Sequence, residues 1–313
     1  MESKEMRAAY AETLAALAAE NPDIVVLEAD LMKATGTGGF QKAFPDRTIN
    51  VGVAEANMVG IASGLSATGK IPFASTFACF ASRRAFDQFF LSANYARLNV
   101  KLVGTDPGVT AAFNGGTHMP FEDLALMRCV PGLTVVEPSD PVSCAALVRE
   151  AAKNYGCVYL RLPRKAAPLL YPAEERFRFG QSKVLREGSD LVFVALGSLM
   201  VNEALKAATV LEAEGIRAAV LDALTLKPLD RDAILTQATK TGVVVSAENH
   251  QVIGGLGSAV AELLAESGFS GKFARVGVKD CFGEVGTQEY LMKRFGLTAE
   301  NLAATAKGLL AGK

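Results

Sequence analysis

Short runs of β-branched and aliphatic residues recur along the chain, separated by longer stretches whose apolar positions return every three or four residues. In the first half the runs are Ile24 to Leu27, Val100 to Val103, Thr134 to Val136 and Val158 to Leu162; in the second they are Leu191 to Leu196, Ala219 to Leu221, Val243 to Val245 and Ala274 to Val278. They are continuously apolar rather than alternating, which predicts strands buried on both faces and therefore parallel sheets covered by helices. Met6, Tyr10, Leu14 and Leu17 fall on one face of an amphipathic helix, and helical patterns also cover Asn202 to Glu214 and Gly257 to Ser267. The expected fold class is α/β, with two domains that are each a mainly parallel sheet covered by helices.

Between the halves, Arg164 to Ser182 loses periodicity and gathers Pro168, Pro172 and the cluster Glu174, Glu175, Arg176. Such a segment predicts a surface linker, placing a first domain at 1–165, the linker at 166–182 and a second domain at 183–313. A length of 313 residues supplies two ordinary domains. With 32 basic and 33 acidic side chains scattered along the chain, there is no basic footprint for nucleic acid, so the expected ligand is small or another protein. Five cysteines without a C-x-x-C pair predict neither a disulfide framework nor a zinc site. No run approaches the ~20 apolar residues of a membrane span, and the N-terminal stretch lacks a signal-peptide pattern. These features predict a cytoplasmic protein.

Glu55 is the lone carboxylate in Asn50 to Met58, between a strand-like run and a small-residue helix. Two roles are open to it: capping the helix through the favourable positive end, or, once dehydrated, sharing a proton with a ligand. In Ser75 to Phe80, Phe77 and Phe80 lie three apart at the start of a helical pattern, where they serve either as core or as a platform for a flat heterocycle. The turn Asn114-Gly115-Gly116-Thr117 presents His118, one of only two histidines. Arg161 and Arg164 close a strand, where guanidinium groups suit an anion or tie down the linker. The glycines at 254, 255 and 257 lack the full dinucleotide or P-loop pattern and predict a helix entry, and Gly36 to Gly39 predicts a flexible loop.

Glu28 to Leu31, Val51 to Met58, Ser75 to Phe77, Asn114 to His118 and Leu162 to Arg164, in that order and at that spacing, closely resemble the C-terminal half of the transketolase family. That half is a pyrimidine-binding domain followed by the family's C-terminal domain, and the resemblance covers nearly the whole chain. It implies that Glu55 bonds a ring nitrogen of the aminopyrimidine of thiamine diphosphate and drives its activation. Phe80 with Phe77 would stack on the pyrimidine, and His118 would face substrate hydroxyls and carbonyl. Asp30 would lie at a subunit interface near the cofactor, and Leu31 would help wedge the cofactor bent. Arg164 matches the substrate-phosphate arginine, with Arg161 beside it. Asn114 stands where many members have Asp, Arg83 where many have Tyr, and Thr105 or Asp106 replaces a family His.

The family holds the diphosphate through Mg²⁺ with a Gly-Asp-Gly segment in a preceding domain, and this chain contains no Gly-Asp-Gly. The resemblance therefore implies the C-terminal subunit of a split transketolase, with no metal ligands of its own and an N-terminal partner in an α2β2 assembly. Its reaction would move a two-carbon ketol unit from a ketose phosphate to an aldose phosphate, as in the pentose phosphate pathway. The alternatives are the β subunit of a 2-oxo acid dehydrogenase first component, a deoxyxylulose phosphate synthase-like enzyme, or a non-catalytic binding partner.

Overall fold

The computed structural model describes residues 3–311. Strands are numbered in chain order: β1 Ser3–Glu5, β2 Ile24–Glu28, β3 Thr48–Asn50, β4 Ile71–Phe77, β5 Lys101–Thr105, β6 Thr134–Val136, β7 Val158–Leu162, β8 Ala166–Pro168, β9 Lys183–Arg186, β10 Leu191–Leu196, β11 Ala218–Asp222, β12 Thr225–Lys227, β13 Val243–Gln251 and β14 Lys272–Val278. The first sheet has the order β12-β6-β7-β5-β4-β2-β3 and the second β14-β13-β10-β11-β9. Pairing is parallel throughout except for β12 against β6 and β9 against β11. The eight apolar runs coincide with strands, apart from Val100, which lies one residue before β5; strands buried on both faces satisfy their amides in the ladder.

The helix Met6–Glu20 buries Met6, Tyr10, Leu14 and Leu17 as its spacing predicts. It packs with Val26 and Leu160 on one face of the first sheet. On the other face, one apolar cluster runs from Val25, Ala74 and Leu102 through Tyr159 to Val194, Leu221 and Val244 of the second sheet, so the two sheets share a core.

Four expectations need correction. Residues 71–77, with Pro72 near the start and small residues at 74–76, form the interior strand β4; Phe77 ends that strand rather than opening a helix. Residues 166–182 are not a bare surface linker: β8 pairs with β1, and Tyr171 and Phe177 are buried against Leu147 and Leu224. The second half also returns β12 to the first sheet. Gly38 and Gly39 open a helix, Gly38–Ala43, instead of a flexible loop. Among the described residues, no helix is long and apolar enough to cross a membrane.

The order of the first sheet positions the site. From β2 the chain moves outward to β3, then crosses to the other side of β2 to lay down β4. The strand order reverses there, and ligands of open α/β sheets bind outside the carboxyl ends of strands at such a switch point.

Candidate active site

Apart from Arg161, which lies inside β7, the residues singled out in the first domain sit at or just beyond these carboxyl ends. Asp30 and Leu31 follow β2, Glu55 follows β3, Phe77 ends β4 with Phe80 just beyond, His118 lies in the connection after β5, and Arg164 follows β7.

Glu55 is the first residue of the helix Glu55–Ala67 and only 1% exposed. Its carboxylate is aimed by two devices. Asn50 at the end of β3 accepts from the Gly52 amide (3.1 Å) and the Asp30 amide (3.0 Å), fixing the approach to the helix and the turn after β2 together. From the opposite side, Arg84 donates through Nη1 to both Glu55 oxygens, at 3.1 and 2.9 Å. The guanidinium carbon of Arg84 lies 4.3 Å from the Phe80 ring centroid.

Residues Phe80–Arg84 wind as a π-helical turn closed by the Ala85 amide on the Phe80 carbonyl. The extra residue of such a turn re-aims the side chains after it, which is why these turns recur at functional sites. Phe77 and Phe80 stand 6.0 Å apart between centroids, tilted by 35°. The His118 ring meets both edge-on, at 5.2 Å from Phe80 and 6.2 Å from Phe77. Thr117 Oγ1 lies 2.9 Å from His118 Nδ1. Arg83 holds the same loop, donating to the Thr117 carbonyl at 2.8 Å and pairing with Glu122 at 3.1 Å. Asn114 is exposed at the start of the glycine turn.

The two arginines at the end of β7 part company. Arg164 remains partly exposed, with its guanidinium carbon 6.0 Å from the Phe77 centroid and Nε 3.1 Å from Asp106. Burial pushes the Asp106 carboxyl up to about 6, with Arg164, Lys165 and Arg7 pulling against it. Arg161 corrects the expectation of a substrate contact: it is fully buried, bound to Asp123 (2.7 and 3.1 Å), Glu137 (2.8 Å) and the Asn249 carbonyl (2.8 Å). Its donors face inward because residue 161 is inside the strand, whereas Arg164 lies beyond its end.

Sequence reasoning gave no role to Arg84, Asn50 or Glu28, and named Asp106 only as one of two residues in place of a family His. Glu28 is buried at the end of β2, accepting from Thr35 and Thr37 at 2.7 Å each through Oε1, while Oε2 has no partner among the described residues. Burial raises it to about 7 against the pull of those two hydroxyls. The turn that carries Asp30 and Leu31 is tied down through this carboxylate. The glycine-rich entry at 254–257 cradles an internal anion: Glu248 accepts from the Leu256 and Gly257 amides at 2.7 and 2.8 Å, as a helix entry requires. Cys79, Cys144 and Cys157 are buried free thiols, and Cys129 and Cys281 are exposed. Among the described residues, no group of three or more His, Cys, Asp or Glu is placed to hold a metal ion.

The site thus places a buried carboxylate at a helix start beside two tilted phenylalanine rings and a histidine. Residues 2–168 match the transketolase pyrimidine binding domain and residues 180–302 the transketolase C-terminal domain.

The chain belongs to the transketolase family.

Its relatives include a 6-deoxy-6-sulfo-D-fructose transketolase subunit SqwH from Clostridium sp. (strain MSTE9), 49% identical over 98% of this chain and 94% of that one. A putative transketolase C-terminal section from Methanocaldococcus jannaschii is 42% identical over 96% of this chain and 94% of its own length. Among solved structures, a split gene transketolase described as an inactive beta4 tetramer superposes with a TM-score of 0.91 at 48% identity, covering 98% of both chains. The chain is thus similar throughout its length to the C-terminal subunit of split transketolases.

Proposed function

We propose that this chain is the C-terminal subunit of a split transketolase, building half of a thiamine diphosphate site that an N-terminal partner completes. The observation that carries the reading is the Glu55, Phe80 and Arg84 constellation. Arg84 presents a flat, N–H-bearing group to a Phe80 face while bonding Glu55. An aminopyrimidine makes the same demands of a pocket: an aromatic wall and a carboxylate acceptor in one plane of approach. The donor set therefore fits the cofactor's pyrimidine end, with Glu55, Phe77 and Phe80 holding it and Asp30 and Leu31 lining it.

When bound, thiamine diphosphate supplies the electron sink that lets a carbon–carbon bond beside a carbonyl break and re-form. The chain's own residues bind, orient and move protons. Glu55 is buried at a helix start, so it can exchange a proton with a ring nitrogen without competition from water. His118, steered by the edges of Phe77 and Phe80, faces the substrate's oxygens, where it donates or accepts a proton. Arg164, beyond the end of β7 and braced by Asp106, meets the substrate's terminal anion, and Asn114 meets a hydroxyl.

Mg²⁺ and the Gly-Asp-Gly diphosphate segment are assigned to the partner, in an α2β2 assembly. The relatives named as a subunit, as a C-terminal section and as a split gene product support that division. Exposed apolar side chains around the site support it too: Val53, Phe113, Phe282 and Val285 are 66–97% exposed, the kind of surface that a partner covers. The donor is a ketose with a terminal anion, either a phosphate or the sulfonate that the Clostridium relative's name specifies.

The test is calorimetry of thiamine diphosphate with Mg²⁺ against this chain, against a co-purified Gly-Asp-Gly subunit, and against the pair. Binding by the pair alone is expected; tight uptake by the chain by itself would overturn the split site. Activity assays with fructose 6-phosphate and 6-deoxy-6-sulfo-D-fructose then separate the two donors.

A further inference from the structure

The second domain touches the His118 loop along its whole length. At the start, Asn249 of β13 accepts from the Val109 amide (3.0 Å) and donates to the Pro107 carbonyl (3.0 Å). At the far end, the Gln251 amide donates to the Phe121 carbonyl at 2.9 Å, and Phe295 meets the Phe121 ring edge-on at 5.3 Å. Between these anchors the backbone is bent hard: Ala112 has φ 48° and ψ −117°, a conformation that persists only where surroundings impose it.

The middle of the loop is met by Lys279 to Thr287, the connection between β14 and the helix Gln288–Phe295. A Cβ added at Gly116 would lie 2.1 Å from the Gly283 carbonyl oxygen. A Cβ at Gly283 would lie 2.6 Å from Met119 Sδ and 3.1 Å from its Cβ, and Val285 covers Gly115. Neither Gly116 nor Gly283 has a positive φ. Glycine is needed at both positions for closeness of approach and not for backbone freedom. The two contacts bracket His118 by two residues before it and one after.

We propose that the second domain is a positioning part of the active site: Gly283, seated between Gly116 and Met119, sets where the His118 ring stands against Phe77 and Phe80. The connection Lys279 to Thr287 is itself braced, since Tyr290 donates to Glu284 and the Thr287 hydroxyl caps the following helix at 3.1 Å. The catalytic consequence rests on the reading that His118 meets substrate; the positional claim does not.

The experiment uses the full chain with its two histidines isotopically labelled. The His118 ring signal reports its place through the ring currents of Phe77 and Phe80. His250, whose buried ring is held down to about pKa 4 by desolvation, is the internal reference. In Gly283→Ala, the His118 signal moves while the His250 signal stays near the parent's, the melting temperature falls only as overpacking lowers it, and adding Met119→Ala brings the His118 signal back toward its original place. An unmoved His118 signal in folded Gly283→Ala overturns the proposal. If that variant does not fold, Val285→Ala decides, since it removes a contact without a collision. Faster hydrogen exchange at the Gly115 and His118 amides is expected there, and unchanged exchange overturns the proposal. Because no arm reads catalysis, a failure here is distinct from failure of the transketolase reading.

Discussion

Replacing Arg161 by Met keeps much of the side-chain volume and removes the charge. Among the described residues it strands Asp123, which retains only the Tyr159 hydroxyl at 2.9 Å, and Glu137, which loses its only paired cation. Breaking a buried pair by deleting one partner costs ~3–5 kcal/mol. Part of that is recovered by protonation, because burial already holds Glu137 at about 7 even with Arg161 beside it. Without the cation its folded pKa rises further above the unfolded value of roughly 4.3. A carboxyl raised in this way costs nothing below its unfolded pKa; the penalty grows as pH rises from there to the folded pKa and levels off above it, so a variant with the higher folded pKa goes on losing stability after the parent has levelled off. The loss should therefore be about 3 kcal/mol at pH 8 and about 1 kcal/mol smaller at pH 6, one pKa unit being ~1.4 kcal/mol. Urea unfolding of parent and Arg161→Met at both pH values reads this directly. A loss under ~1 kcal/mol, or one equal at both pH values, would refute the reasoning, since a buried unpaired charge must cost and must titrate.

Glu28, raised to about 7 by burial and with an Oε2 that has no partner among the described residues, should cost stability as pH rises from its unfolded value of roughly 4.3 to about 7, and no more above that. Glu28→Gln keeps the acceptor for Thr35 and Thr37 without the ionisation, so in denaturant melts the variant's advantage over the parent should be smallest near pH 4, grow up to about pH 7 and then stay constant. Gly104→Ala places a Cβ 2.4 Å from the Tyr159 hydroxyl and 3.0 Å from the Ala78 backbone. It should cost ~1–3 kcal/mol as overpacking does, measured by thermal unfolding, with Gly38→Ala, whose Cβ meets nothing within 4 Å, as the silent comparison.

The sequence carries the site unevenly. Glu55, Phe77, Phe80, His118 and Arg164 stand in short local patterns, and the fold brings all five to the carboxyl ends of one sheet. Local pattern does not carry pairings across distance. Arg161 looks like Arg164's twin until Asp123 and Glu137, 38 and 24 residues away, fold onto it. Arg84 reaches Glu55 only through the π-helical turn, whose extra residue has no sequence signature. Strand β4 escaped detection because Pro72 and the small residues 74–76 argue against a central strand, although proline is tolerated near a strand's start. Phe77 and Phe80 meet as expected for a different reason, as strand end and helix start.

The most direct test of the central claim is turnover by the reconstituted pair carrying Glu55→Gln. General acid–base catalysis is worth ~10²–10⁴-fold, so ketol transfer should fall by at least ~100-fold while subunit assembly persists. Near-parent turnover in an assembled, cofactor-loaded Glu55→Gln pair would contradict the account.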